Sequence, residues 1–298
     1  MSNSSSSTPL RPRRSALYMP GANARAMDKA RRLDADAVIF DLEDAVSPDK
    51  KVEAREQVID TLEQAGYGNR ELVVRINSLE SEWGRDDLLA VLKAGVTLDA
   101  ICMPKVETAA QVQAVAELIE AHSSLDLKIW PMIETPLGVA NAKQIAASHP
   151  RMTVMIMGTS DLAKEMRIPH TPDRIGFIYA LSECVLAARL NNAEILDGVY
   201  LDLKDPQGFE AICQQGRNLG FDGKTLIHPN QLEAANRIFG PAPEEVDRAR
   251  RILEVWQLAQ AEGKGVAVLD GKLVEVLHVE EAERTLAIAE AIAQRISS

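Results

Sequence analysis

The chain is poor in the features that mark several common protein classes. Its 298 residues include only three cysteines, Cys102, Cys184 and Cys213, and no C-x-x-C pair. Buried free thiols in a reducing compartment are the expectation, not a disulfide framework. No run of 18 apolar residues occurs, so no membrane-crossing helix is expected. The first 14 residues, MSNSSSSTPLRPRR, are Ser-rich and lack the apolar stretch of a secretory signal. They read as a disordered tail over 1–14, and the cytoplasm is the expected location. Positive charge is in deficit, with 33 Lys and Arg against 44 Asp and Glu and a formal net charge of −11. That balance argues against sequence-independent binding to nucleic acid. Sequence signatures for dinucleotide binding (G-x-G-x-x-G), metalloproteolysis (H-E-x-x-H), the P-loop and the G-x-S-x-G elbow are all missing. Where the first would stand, after the first apolar run, the chain reads Pro20-Gly21-Ala22-Asn23.

What is present is a row of charges, each placed where an apolar run ends. AVIF leads into Asp41-Leu42-Glu43-Asp44, ELVV into Arg75, AICMP into Lys105, KIWPMI into Glu134 and TVMIMGTS into Asp161. The intervals from Asp41 to Arg75, Lys105, Glu134 and Asp161 are 34, 30, 29 and 27 residues, about one strand, one helix and two loops each. Eight runs serve as buried-strand candidates: 15–20, 37–42, 71–76, 100–104, 128–133, 153–158, 198–203 and 224–229. Helical spacing fills 23–34, 50–65, 86–94, 108–121, 138–147, 174–191, 206–219 and 230–238. Eight such units predict an α/β fold, a (β/α)8 TIM barrel over 15–240, whose strand C-termini converge on one face. The breaker Gly240-Pro241-Ala242-Pro243 then opens an extension over 241–298: a helix, a hairpin turning at Asp270-Gly271, and a last helix over about 279–296.

Glu134 and Asp161 would end adjacent strands, and two carboxylates there suit Mg²⁺ with water and substrate oxygens completing the shell. Alternatively Asp161 caps a helix that begins at Leu162. Arg75, inside an apolar strand, either faces a substrate carboxylate or pairs with Asp41, Glu43 or Asp44. Those three acids could also form an outer shell around the metal. Lys105 occupies a position that a Schiff-base aldolase would use, although the neighbouring carboxylates favour metal chemistry. His228 reads as a pocket contact or a packed core residue, and Asp270 as a turn residue. Seven basic residues over 11–32 (Arg11, Arg13, Arg14, Arg25, Lys29, Arg31 and Arg32) read as a solvated face or as a local site for an anion.

The segments LYMPGAN, VIFDLEDAV, VVRIN, MPKVET, IETPLGVANA, GTSDLAKEM, LGFDGKTLIHPNQ and LDGKLVEV follow one another along nearly the whole chain. In these the chain resembles the HpcH/HpaI aldolase and citrate lyase β-subunit family, in its CoA-ester branch. The resemblance implies a Mg²⁺-dependent lyase, with Mn²⁺ as a possible substitute. It would cleave or form the C–C bond of a 3-hydroxy-3-carboxyacyl-CoA such as citramalyl-CoA or malyl-CoA. The products would be acetyl-CoA or propionyl-CoA and pyruvate or glyoxylate. It implies Glu134 and Asp161 as metal ligands and Arg75 as enolate stabiliser. Pro20, Gly21, Arg25 and Lys29 would lie at the CoA site. Asp270 would complete the active site of a neighbouring subunit in a homo-oligomer, a trimer or a multiple of it. Related alternatives are a citryl-lyase β subunit acting on an acyl-carrier thioester and a malyl-CoA thioesterase. Val276-Leu277 departs from the Pro often found after the D-G-K motif.

Overall fold

A computed structural model of the chain describes residues 10–296. Of the tail expected over 1–14, residues 1–9 lie outside this range. The chain divides into two compact units, one spanning Arg13–Asn236 and the other including the residues from Arg237 onward.

In the first unit eight parallel strands close into a barrel in sequence order, with β8 pairing back onto β1. The strands are β1 (Ser15–Pro20), β2 (Ala37–Asp41), β3 (Glu71–Arg75), β4 (Ala100–Met103), β5 (Lys128–Ile133), β6 (Val154–Met157), β7 (Glu194–Asp197) and β8 (Gly223–Leu226). Between them run α1 (Ala24–Ala30), α2 (Lys51–Glu63), α3 (Gly84–Ala94), α4 (Ala109–His122), α5 (Pro136–Ala140), α6 (Ala142–Ala146), α7 (Thr159–Met166), α8 (Ile178–Leu190) and α9 (Pro206–Leu219). A further helix, α10 (Leu232–Phe239), follows β8. Helices cover the outer face and side chains fill the inside, so both faces of each strand need apolar residues. Alternate positions point inward: Ala37 and Ile39, Ala100 and Cys102, Trp130 and Met132, Val154 and Ile156 belong to one buried cluster. Small residues at Ala16, Ala37 and Ala100 leave room for Trp130. All three cysteines are free and buried.

Three expectations are corrected. β7 is Glu194–Asp197, not 198–203. Its polar ends are neutralised by partners that the sequence does not display: Glu194 meets Arg13 at 2.8 Å, and Asp197 meets Lys224 and Arg174 at 2.9 and 2.8 Å. At Gly198 the chain presses against the end of β6, where an added Cβ would come within 2.5 Å of Thr159 Oγ1 and 2.8 Å of the Met157 carbonyl. The apolar residues that follow turn outward, leaving Leu201 and Leu203 exposed. The second correction concerns Arg13 and Arg14, read as the end of the tail and part of one basic cluster. Both close the N-terminal end of the barrel. Arg13 binds Glu71 bidentately at 2.6 and 2.8 Å, and Arg14 binds Asp36 at 2.8 and 2.9 Å. The segment 138–147 is also two short helices, α5 and α6, with Asn141 between them.

The second unit contains α11 (Pro243–Ala261), a hairpin of β9 (Ala267–Leu269) and β10 (Lys272–Val274), and α12 (Val276–Ile296). Asp270 and Gly271 turn the hairpin with φ of +51° and +75°, the positive values a tight two-residue turn requires. Ile252, Trp256, Leu269, Val274 and Val279 form its core. Among the described residues no helix is long and apolar enough to cross a membrane.

Candidate active site

Strand register brings the charged positions together. Pro20 pairs with Asp41, Asp41 with Arg75 and Arg75 with Cys102, so the ends of four neighbouring strands lie level. Arg75 Nε and Nη2 donate to the two carboxylate oxygens of Asp41 at 2.7 and 2.6 Å. The backbone N–H groups of Glu43 and Ala45 donate to the same carboxylate at 2.8 and 3.0 Å, folding the acidic loop over it. Arg75 Nη1 lies 2.8 Å from Glu43 Oε2 and 3.3 Å from Asp44 Oδ2. The Glu43 contact is one of charge, because that oxygen is not aligned to accept a hydrogen bond. The Tyr18 ring lies 4.8 Å from the guanidinium. Burial opposes the charge on Arg75, but Asp41, Tyr18 and Glu43 outweigh it and raise its pKa further.

Glu134 directly follows β5 and is 2% exposed. Its Oε1 accepts from the backbone N–H of Lys105 at 2.6 Å, a contact made with Lys105 at φ +51°. Its other oxygen faces Gly158, where an added Cβ would collide with Glu134. Burial, and then the nearby charge of Glu43, push the Glu134 carboxyl up to about 7, against the pull of Lys105 and Arg75. Lys105 Nζ lies 2.9 Å from Glu43 Oε1 and 3.5 Å from Asp161 Oδ2, so one lysine touches three acids of the cluster. Asp161 lies in the first turn of α7, which begins at Thr159 and not Leu162, and makes no side-chain cap.

A cavity of about 360 Å³ opens over these residues, and Pro20, Asp41, Asp44, Arg75, Glu134 and Asp161 all line it. Its anionic donors are carboxylate oxygens, Asp41, Asp44, Glu134 and Asp161, with no His or Cys in the lining. Among the described residues no group of three or more His, Cys, Asp or Glu is arranged to hold a metal. Two carboxylates, with water and substrate supplying the other oxygens, match the habits of Mg²⁺. Charge matches too. Five acids, Asp41, Glu43, Asp44, Glu134 and Asp161, share the two cations Arg75 and Lys105, a formal −3 when all are ionised.

The profile of the HpcH/HpaI aldolase/citrate lyase family matches residues 14–229. The chain belongs to that family. Its relatives include the (3S)-malyl-CoA thioesterase of Cereibacter sphaeroides, 52% identical over 95% of this chain and 96% of that one. Citrate lyase subunit beta of Escherichia coli is 35% identical over 94% of each chain. Among solved structures, the CitE protein of Mycobacterium tuberculosis in complex with magnesium, acetoacetate and coenzyme A superposes with a TM-score of 0.74. That match has 29% identity and covers 94% of this chain and 98% of that one.

The other residues singled out in this HpcH/HpaI family member are more scattered. Gly21 is buried; its N–H donates to the Asp41 carbonyl at 2.8 Å, and a Cβ there would come equally close to that oxygen. Arg25 and Lys29 are exposed, one turn apart on α1. Arg31 is occupied by Asp28, the Ala65 carbonyl and the Tyr67 ring. With Arg13 and Arg14 at the opposite end of the barrel, the basic segment is not one patch. His228 is exposed and caps a turn through Nδ1, accepting from Asn230 N–H at 3.2 Å, so it is not a core residue. Burial works against the charge on Lys105, but Glu43, Glu134 and Asp161 outweigh it and raise its pKa; a held ammonium is not a Schiff-base nucleophile. Asp270 belongs to the second unit and pairs with Arg251 at 2.5 Å. Sequence reasoning missed Lys51, Asn77, Tyr18 and Gly158. Only Gly158, between an apolar strand and a helix start, carried a signal of close approach.

Proposed function

We propose that this chain is a Mg²⁺-dependent enzyme of the cytoplasm that hydrolyses the thioester of a short 3-hydroxy-dicarboxylic acid carried on CoA, of the malyl-CoA kind. The observation that carries the reading is the arrangement of Glu134, Asp161 and Arg75 around one cavity, together with 52% identity to a malyl-CoA thioesterase along almost the whole chain. Glu134 and Asp161 would hold the ion. When bound it supplies Lewis-acid polarisation and offsets negative charge on the substrate. Arg75 would bind the oxygen on which negative charge develops, from a guanidinium fixed in place by Asp41. In hydrolysis, water adds to the thioester carbonyl carbon, the C–S bond breaks and the leaving thiolate takes a proton, giving the free acid and CoA. Pro20, Gly21 and the exposed Arg25 and Lys29 would guide the phosphates of CoA.

Carbon–carbon cleavage is the second reading, favoured by the similarity to citrate lyase subunit beta. There the hydroxyl proton leaves, the C–C bond breaks to give glyoxylate, and the acetyl-CoA enolate takes a proton. Both readings use the same anion-stabilising Arg75. We infer further that the chain works as a homo-oligomer, in which the hairpin carrying Asp270 meets a neighbouring copy. Its outer face supports this, since the cross-strand pair Val268 and Leu273 is 63% and 52% exposed. The decisive experiment supplies malyl-CoA to the purified protein with Mg²⁺ or with EDTA and counts products. Malate and free CoA in equal amounts support hydrolysis. Glyoxylate with acetyl-CoA moves the assignment to the lyase, and no Mg²⁺-dependent turnover of either kind refutes both.

A further inference from the structure

The acidic loop over the cavity is anchored from beneath by a lysine that touches none of its carboxylates. Lys51, at the start of α2, is 6% exposed. Its Nζ donates to the Leu42 carbonyl at 2.9 Å, the Glu43 carbonyl at 2.7 Å and Asn77 Oδ1 at 2.7 Å. An ammonium has three donors, and here all three are used. Asn77 is itself fixed: its Nδ2 donates to Leu42 O at 2.9 Å and to Asp87 Oδ2 at 2.6 Å, and Arg55 holds the other oxygen of Asp87 at 2.7 Å. The Trp83 ring closes the site, 5.5 Å from Lys51 Nζ.

The partners that receive this charge are neutral oxygens. That is a costly way to bury an ammonium, and two apolar residues would cover the space at lower cost. What the three bonds fix is the backbone of Leu42 and Glu43. The Glu43 carboxylate in turn bridges Arg75 and Lys105, so an error in that backbone is passed to both of its cationic partners.

We propose that Lys51 is a positioning residue for the reaction. It sets the height and tilt of the Asp41–Asp44 loop, and through Glu43 it places Lys105 and the acid that faces Arg75 Nη1. The inference rests on the functional reading above for its assay, but not for its geometry. The test compares Lys51→Met and Lys51→Arg with the wild type. Arg keeps the charge but its planar fork does not converge on the same three oxygens. Both variants are expected to lose kcat by about 10–100-fold with KM for the thioester changed by less than about threefold. Mg²⁺ titration of the metal-free proteins, followed by calorimetry, should show equal or weaker binding in Lys51→Met. A role as a bare charge gives the opposite sign, because losing a cation beside an acidic cluster tightens Mg²⁺ binding. Full activity in Lys51→Arg, or tighter Mg²⁺ binding with unchanged kcat in Lys51→Met, overturns the proposal. Should Lys51→Met fail to fold, Lys51→Arg and Asn77→Ser carry the same comparison. A wild type without Mg²⁺-dependent turnover overturns the functional reading instead, and the Mg²⁺ titration still reads the role of Lys51.

Discussion

Replacing Glu134 by Gln should stabilise the metal-free protein at alkaline pH and abolish its stabilisation by Mg²⁺. Burial and the charge of Glu43 bring the Glu134 carboxyl to about 7 in the folded chain, above its ordinary value of 4.5. A folded-state pKa raised in this way contributes stability that is fully present below about 4.5 and is lost as the pH rises through about 7. The difference of roughly 2.5 pH units corresponds to roughly 3 kcal/mol. Gln keeps the carbonyl that accepts from Lys105 and never ionises. In EDTA, wild type and Glu134→Gln should therefore be nearly equal in urea unfolding at about pH 4.5, and the variant should be more stable by up to roughly 3 kcal/mol at about pH 8. Excess Mg²⁺ should reverse the order, because the carboxylate is the proposed ligand and binding adds to native stability by mass action. The affinity of the wild type for Mg²⁺ should rise as the pH approaches 7 and level off above it, with uptake of the ion releasing a proton. A variant less stable than wild type in EDTA at alkaline pH, or a Mg²⁺ affinity flat from pH 5 to 8, would refute the reasoning.

Two further substitutions extend these tests. Gly158→Ala places a methyl group against Glu134; it should weaken Mg²⁺ binding by about 10–100-fold and destabilise the fold by about 1–3 kcal/mol, checked by calorimetry and thermal denaturation. Asp270→Ala should fold and bind Mg²⁺ as the wild type does but lose turnover by about 10²–10⁴-fold, checked by steady-state kinetics; near-normal turnover removes Asp270 from the chemistry.

Most of the barrel was legible because buried parallel strands must be apolar on both faces, and AVIF, LVV, AICM and VMIM are so without interruption. β7 was not. Glu194-Ile-Leu-Asp197 offers only two apolar residues, and its charged ends are tolerated because Arg13, Lys224 and Arg174 meet them across long sequence separations. The neighbouring GVYLDL run looked more strand-like, yet its later residues are exposed. The same blindness hid the roles of Arg13, Arg14 and Lys51. In Pro48-Asp-Lys-Lys51-Val-Glu, Lys51 reads as the polar start of a surface helix, and nothing local reveals the three oxygens it reaches. The cavity acids were legible for the opposite reason: an acid that ends a buried run has no apolar environment to share, and only a common face explains several in succession.

Arg75 posed a choice between a structural ion pair and a ligand-binding guanidinium, and the geometry commits only part of the fork to the pair. Nε and Nη2 are committed to Asp41, whose carboxylate is also held by two backbone N–H groups. That half of the fork is buried and satisfied, and breaking it would leave a buried charge without a partner, a loss of about 3–5 kcal/mol. Nη1 faces the cavity side. It meets Glu43 without hydrogen-bond alignment and Asp44 at 3.3 Å, and the Asp44 side chain is 62% exposed. An exposed pair of that length contributes little, roughly 0–1 kcal/mol. An incoming anionic oxygen therefore replaces the Asp44 contact and the long contact to Met132 Sδ at 3.8 Å, while Asp41 keeps the guanidinium plane fixed. The structural pair is what makes the remaining donor usable, since an Arg free at both ends would spend binding energy on its own ordering.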